Sequence, residues 1–285
     1  MPAGDSGLFL VEDGLSFCLE LISILRVNWQ RGKNAGFKII NLSSDVWISC
    51  LRMQEREGGT ETTETKEKEE TRKEAIMGIT IQWLGHASFK ICYEYTIIYV
   101  DPWKLKESPG DAMVVLVSHS HYDHYSPEDV ARVSGPDTKL VASADVVAKA
   151  RAGEAIMPGL SVELESVRIS SVAAYNPNKQ FHPRANNWVG FVIEVGSKRI
   201  YYAGDTDLTE EMKALKDIDV ALLPVGGTYT MNAVEAAEAT KHIKPKRAIP
   251  YHWGDIVGDR NDAEQFAELA ECEVKILAPG ETVSL

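Results

Sequence analysis

From residue 79 onward, short runs of β-branched and aromatic residues are punctuated by Gly, Asp and Pro. Residues 79–84, 89–93 and 96–100 predict strands, the last two joined by a short turn into a hairpin that ends at Asp101-Pro102. A second strand-turn-strand pattern, 191–195 and 199–203, turns at Gly196-Ser197 and ends at Gly204-Asp205. The two patterns resemble copies of one unit. Continuous apolar runs at 113–117, 220–225 and 248–251 predict strands covered on both faces. Helices follow several runs. Ser126-Pro127-Glu128-Asp129 supplies an N-cap serine, a proline at the first helical position and acids in the first turn. Asn232 with Glu235 predicts a capping box at the head of an alanine-rich helix that stops before Pro245, and a third helix is predicted over 262–270. Strands mixed with helices in two similar halves predict a layered α/β architecture.

The preceding residues read differently. The stretch 54–75 is almost wholly Glu, Lys, Thr, Arg and Gly, with nothing to bury, and reads as a charged flexible linker or a solvated helix held by i to i+4 ion pairs. The expected organisation is an N-terminal extension (1–53), a linker (54–76) and a main domain (77–285). Met77-Gly78 opens the patterned part, so a start at Met77 with dispensable preceding residues is a further reading.

Composition narrows the class. A chain of 285 residues with 44% apolar and 25% charged residues is an ordinary globular protein of one large or two small domains. Its net charge of −12 disfavours a phosphate backbone as partner. Cys18, Cys50, Cys92 and Cys272 are scattered without a C-x-x-C pair, which fits reduced thiols and excludes a cysteine-built zinc site. The most apolar stretch, 8–29, is interrupted by Glu12, Asp13 and Glu20, so neither a membrane span nor a signal peptide is predicted. The expected setting is the cytoplasm, with a small-molecule substrate, no nucleic acid and no membrane; a homo-oligomer is left open.

The chemistry concentrates in Ser118-His119-Ser120-His121-Tyr122-Asp123-His124, directly after the run ending at Val117. Imidazole nitrogens and carboxylate oxygens are the usual non-thiol ligands of Zn²⁺ and related metals, and close spacing on one loop lets them converge. Without a cation, three histidines and an aspartate crowded at a strand end would carry a large desolvation and repulsion cost. Asp205 and His252 also sit at predicted strand ends, where ligands gather in layered α/β folds.

The motif H-x-H-x-D-H formed by His119, His121, Asp123 and His124 resembles that of the metallo-β-lactamase superfamily. Trp83-Leu84-Gly85-His86-Ala87-Ser88, Val100-Asp101-Pro102, Ala203-Gly204-Asp205-Thr206 and the stretch 223–231 resemble its branch of ascorbate-6-phosphate lactonases and uncharacterised metal-dependent hydrolases. More distantly, the chain is similar to the N-acylphosphatidylethanolamine phospholipase D group. The resemblance runs from about residue 79 to the C-terminus. It implies an αββα four-layer sandwich with two divalent metal ions, zinc first among Zn²⁺, Mn²⁺ and Fe²⁺. By that resemblance His119 and His121 hold the first metal, Asp123, His124 and His252 the second, and Asp205 bridges them. The position matching a further family histidine is Asn176, in Ala174-Tyr175-Asn176, and the nearby His182 is the expected substitute; a site completed by Asn176 or water is the alternative. His86 is expected as a donor behind the ligands or a substrate contact, and Asp101 as the partner of a ligating histidine. Asp123, His86 and Tyr229 are candidate catalytic groups, Trp188 a pocket wall, and His242, beside Lys241, a surface residue.

The expected function is metal-dependent hydrolysis of a small ester, lactone or phosphorylated metabolite. Phosphodiester or nucleic-acid hydrolysis is the runner-up, set second by the lack of a basic patch with interleaved aromatics. A non-catalytic metal-binding interaction module and an oxygen-reducing di-iron role are the remaining alternatives.

Overall fold

The computed structural model describes residues 78–285; the expected extension (1–53), linker (54–76) and start at Met77 lie outside the described residues. Two seven-stranded mixed sheets form the centre. The first contains β1 (Ile79–Gly85), β2 (Ser88–Tyr93), β3 (Thr96–Val100), β4 (Ala112–Val117), β5 (Ser134–Ala142), β6 (Glu154–Ala155) and β14 (Thr282–Ser284), in the order β14-β1-β2-β3-β4-β5-β6. The second contains β7 (Ser161–Leu164), β8 (Val167–Ala173), β9 (Val189–Val195), β10 (Lys198–Tyr202), β11 (Val220–Pro224), β12 (Arg247–Tyr251) and β13 (Glu273–Val274), in the order β13-β12-β11-β10-β9-β8-β7.

The two sheets repeat one plan. In the first, the antiparallel hairpin β2-β3 leads into β4, which lies parallel to β3 with Val100 opposite Leu116. In the second, the hairpin β9-β10 leads into parallel β11 with Tyr202 opposite Leu222. Each pattern follows from side-chain alternation. Ile79, Ile81 and Trp83 of β1 are buried while Thr80, Gln82 and Leu84 between them are partly exposed, the period of a strand covered on one face. The central strands β4 and β11 are apolar almost throughout and buried on both faces.

The inner faces meet in one core, where Phe89 packs edge-on against Tyr202 and Tyr251 at 6.1 and 5.6 Å. Outside the first sheet, Val133 of α1 (Pro127–Val133) and Val146 of α2 (Ala144–Ala150) cover Val115, Val117 and Ala142. On the second sheet lie α3 (Glu210–Lys213), α4 (Ala233–Ile243) and α5 (Arg260–Leu269), which bury Met212, Ala236, Ile243, Ala263 and Phe266. This is the expected helix-sheet-sheet-helix sandwich. Fully burying Phe266 is worth about 1.5–3 kcal/mol.

The caps at Ser126 and Asn232 form as predicted, with Asp129 N–H donating to Ser126 Oγ and a reciprocal box between Asn232 and Glu235. The third helix begins earlier than predicted, at Arg260. Asp259 is its N-cap, and Asp262, expected as the first residue, instead reaches back to the Asp259 N–H from the third helical position.

The strand ends that matter gather at one edge and turn sharply there. His86, Asp101 and His252 follow β1, β3 and β12 with φ of 46°, 43° and 62°, and Gly204 follows β10 with φ of 68°. Left-handed backbone at three non-glycine residues costs energy that the surrounding structure must offset, and such positions cluster at functional sites.

Candidate metal centre

Strand β4 delivers Ser118 and His119 into the interior, and the loop then closes tightly, with the N–H groups of His124 and Tyr125 both donating to the His121 carbonyl. Beneath it lies Asp101, fully buried. Its Oδ1 accepts from the Ser118 N–H at 2.7 Å; its Oδ2 accepts from the Ser118 hydroxyl at 2.5 Å, the Tyr202 hydroxyl at 2.6 Å and His124 Nδ1–H at 2.6 Å. These bonds fix two tautomers. The Ser118 proton is committed to the carboxylate, so the serine oxygen accepts from His119 Nδ1–H at 2.9 Å. His119 and His124 therefore both keep Nδ1 protonated and turn Nε2 toward the centre.

His182 is oriented in the same manner from another loop. Its N–H and Nδ1–H donate to Asn176 Oδ1 at 3.0 and 2.8 Å, and Asn176 Nδ2 donates to the Tyr229 carbonyl at 3.0 Å, which settles the direction of the amide. Asn176 thus holds the histidine from behind, and His182 Nε2 reaches the centre.

Ligand atoms of His119, His121 and His182 lie within 4.8 Å of one another, as do those of His86, Asp123, His124 and His252. Between the groups sits Asp205, positioned by the turn after β10. Its Oδ1 is 3.1 Å from His124 Nε2, while its Oδ2 is 3.2 Å from His182 Nε2 and 3.3 Å from His252 Nε2. His119 Nε2 and His121 Nδ1 are 3.0 Å apart.

The electrostatics call for positive charge in this space. Burial, reinforced by the neighbouring imidazoles, holds His119 well below the usual histidine range, so it is neutral. Burial likewise lowers His121 and His86, against the pull of nearby carboxylates. Burial works against a charge on His124, but Asp205 and Asp101 outweigh it and hold its imidazolium well above the usual range. Burial also pushes Asp205 upward, yet His124 and His252 outweigh it and keep the carboxylate ionised. Asp123 shows the same balance, with the His86 hydrogen bond at 3.1 Å overcoming burial. Among the described residues, His124 Nε2, His182 Nε2, His252 Nε2 and Asp205 Oδ1 are buried and, although imidazole and carboxylate stand 3.1–3.3 Å apart, none makes a hydrogen bond of good geometry. Buried polar atoms are ordinarily paired. Converging unpaired nitrogens around an ionised carboxylate fit a divalent cation bound in place of a proton.

The sequence profile of the beta-lactamase superfamily domain matches residues 80–252, which contain every member of these clusters. The chain belongs to this family. It is 36% identical to a metal-dependent hydrolase of Thermoplasma acidophilum over 207 residues, 67% of this chain and 91% of the relative. A solved metallo hydrolase of Ignicoccus hospitalis superposes with a TM-score of 0.60 at 26% identity, covering 73% of this chain and 98% of that one. The metallo-beta-lactamase fold protein YhfI of Bacillus subtilis superposes with the same TM-score of 0.60 at 14% identity, covering 73% and 99%, and shares the fold.

Within this metallo-β-lactamase-fold chain, all seven residues expected as ligands meet in one space: His119, His121, Asp123, His124, His182, Asp205 and His252. Asn176 lies behind His182. His86, expected outside the ligand shell or against substrate, stands among the ligand atoms of the second group, its ring 4.2 Å from that of His252. Trp188 packs its indole against the rings of His119 and His121 at 4.8 and 4.7 Å, and its Nε1–H donates to Asp145. The half-buried Tyr229 ring stands edge-on to Phe181 at 4.8 Å, beside the His182 loop. His242 lies on α4 facing Glu238. Sequence reading missed the buried Tyr202 and the half-buried Asp145, supports whose role depends on contacts more than 40 residues away. Trp188, adjacent to β9, was the nearest available signal. Among the described residues no helix is long and apolar enough to cross a membrane.

Proposed function

We propose that this chain is a hydrolase of a small ester, lactone or phosphorylated metabolite, working through two divalent cations. His119, His121 and His182 would hold one cation and Asp123, His124 and His252 the other, with Asp205 placed between the two groups. The supporting observation is the split of Asp205, whose two oxygens face different imidazoles within 3.3 Å. Two cations held there would polarise the bond under attack and bring the pKa of water down toward about 7.

The chain's own groups then act on substrate. Asp123 remains ionised and orients the attacking water or accepts its proton, while His86 Nε2–H holds one of its oxygens. Tyr229, beside the His182 loop, offers a hydroxyl to developing negative charge. Asp101, Ser118 and Asn176 keep the imidazole lone pairs aimed, so little reorganisation is needed.

The test is turnover of a simple ester, a γ-lactone, a phosphomonoester and a phosphodiester by the full chain loaded with zinc, manganese or iron. We expect hydrolysis of one of the first three, abolished by chelator and lowered about 100-fold or more in Asp123→Ala. Preferential phosphodiester cleavage, or turnover indifferent to both treatments, would overturn the proposal.

A further inference from the structure

In the first imidazole group, two rings are tied from behind and one is not. His119 Nδ1–H donates to Ser118 Oγ at 2.9 Å and His182 Nδ1–H to Asn176 Oδ1 at 2.8 Å. His121 is half-buried and sets its Nδ1 3.0 Å from His119 Nε2, so the nitrogen it turns away from the group is Nε2. The contact to His119 is the one hydrogen bond of the His121 ring among the described residues. A ligating imidazole is ordinarily oriented by a partner on its other nitrogen; without one, the ring is free to turn and its lone pair loses direction.

Packing takes the place of that bond. The buried Trp188 indole stands edge-on to His121, the ring centres 4.7 Å apart at 73°. It also meets His119 at 4.8 Å and His182 at 5.6 Å, so one side chain touches all three imidazoles. Rings at such spacings attract one another, and a turned His121 would lose the contact. The indole is itself held. Its Nε1–H donates to Asp145 Oδ2 at 2.9 Å, and the Ser143 hydroxyl donates to Asp145 Oδ1 at 2.6 Å. Asp145 lies in the first turn of α2. One turn further along that helix, Lys149 Nζ donates to Ser120 Oγ at 2.6 Å, and Ser120 stands between His119 and His121 in the chain. Helix α2 thus holds both the loop that carries His121 and the ring that packs against it.

We infer that Trp188, fixed by Asp145, is the positioning residue of His121, doing by ring packing what Ser118 and Asn176 do by hydrogen bonds for the two neighbouring imidazoles. The inference rests on the two-cation reading for the ion that His121 would hold. Trp188 touches His119 and His182 as well, but their Nδ1 bonds remain without it, so its loss falls on His121.

The test is a double-mutant cycle read as zinc affinity, by chelator competition on the full chain, with thermal midpoints of the metal-free proteins alongside. We expect Trp188→Leu to weaken one zinc ion about 10-fold or more, and Trp188→Phe, which keeps a ring, to weaken it less. Asp145→Leu, at a half-buried position, should act in the same direction, and Asp145→Asn, which keeps an oxygen for the indole N–H, should restore the affinity. In a His121→Ala chain Trp188→Leu should cost nothing further, whereas in a His252→Ala chain its full effect should remain. Equal losses in both backgrounds, an unchanged affinity in Trp188→Leu, or an affinity that falls only in step with the metal-free thermal midpoint would overturn the inference; with two ions still bound, the two-cation reading would stand. One zinc ion per chain, with the loss still confined to His121, would uphold the inference and sink the two-cation reading. No zinc bound at all would sink both.

Discussion

At Asp101, one carboxylate accepts from four donors: two on Ser118, one on Tyr202 and one on His124. Through them it sets the direction of both His119 and His124, although it touches neither Asp205 nor the open space. Asp101→Ala leaves buried donors unpaired at about 1–3 kcal/mol each and lets His124 turn over. We expect a clear fall in thermal midpoint and metal affinity weakened about 10- to 100-fold, measured by chelator competition. Unchanged affinity would show that the imidazoles do not need this support. Asp101 was legible in the sequence because a polar residue ends a predicted strand within the family-like motif Val100-Asp101-Pro102. Asn176 was legible only as a mismatch to the family pattern. Its amide serves His182, six residues further on, which no spacing rule connects to it.

Among the elements, β12 and its neighbours are tied at both ends. At the site end, a Cβ on Gly226 would collide with the His252 carbonyl and lie 2.8 Å from Val257 Cγ2, so only glycine lets the loop after β11 pass. Gly226→Ala should cost about 1–3 kcal/mol by overpacking and displace His252, read as a lower thermal midpoint with reduced metal content. At the far end, Asp219 receives the Arg199 N–H at 2.9 Å and Lys246 Nζ at 2.7 Å, joining the starts of β10, β11 and β12. Burial pushes its carboxyl up, but Lys246, the Arg199 amide and Lys198 outweigh it and hold it below the ordinary 3.8. A carboxylate lowered on folding adds stability above its unfolded value and loses it as pH falls through the folded value. The stability advantage over Asp219→Asn should therefore be constant near neutrality and vanish below pH of about 4, followed by denaturant unfolding across pH. The strands of the two hairpins and the buried central runs were legible because each carries a pure period or an unbroken apolar run. Strand β5 was not: Gly135-Pro136-Asp137 reads as a turn and falls in a register irregularity, between Ser134 opposite Ala112 and Lys139 opposite Val114 of β4.

For the whole molecule, the repeated plan of two mixed sheets brings five strand ends, those of β1, β3, β4, β10 and β12, to one edge. There the chain places seven candidate ligands within a negatively charged protein. The pseudo-repeat was visible in the sequence; the convergence of the edges was not, because it depends on how the sheets pack. The most direct test of the dinuclear account is metal stoichiometry by elemental mass spectrometry on full chain prepared without chelator. The account predicts about two ions per chain, falling to about one in His182→Ala. One ion or fewer after reconstitution with zinc, manganese and iron would contradict it.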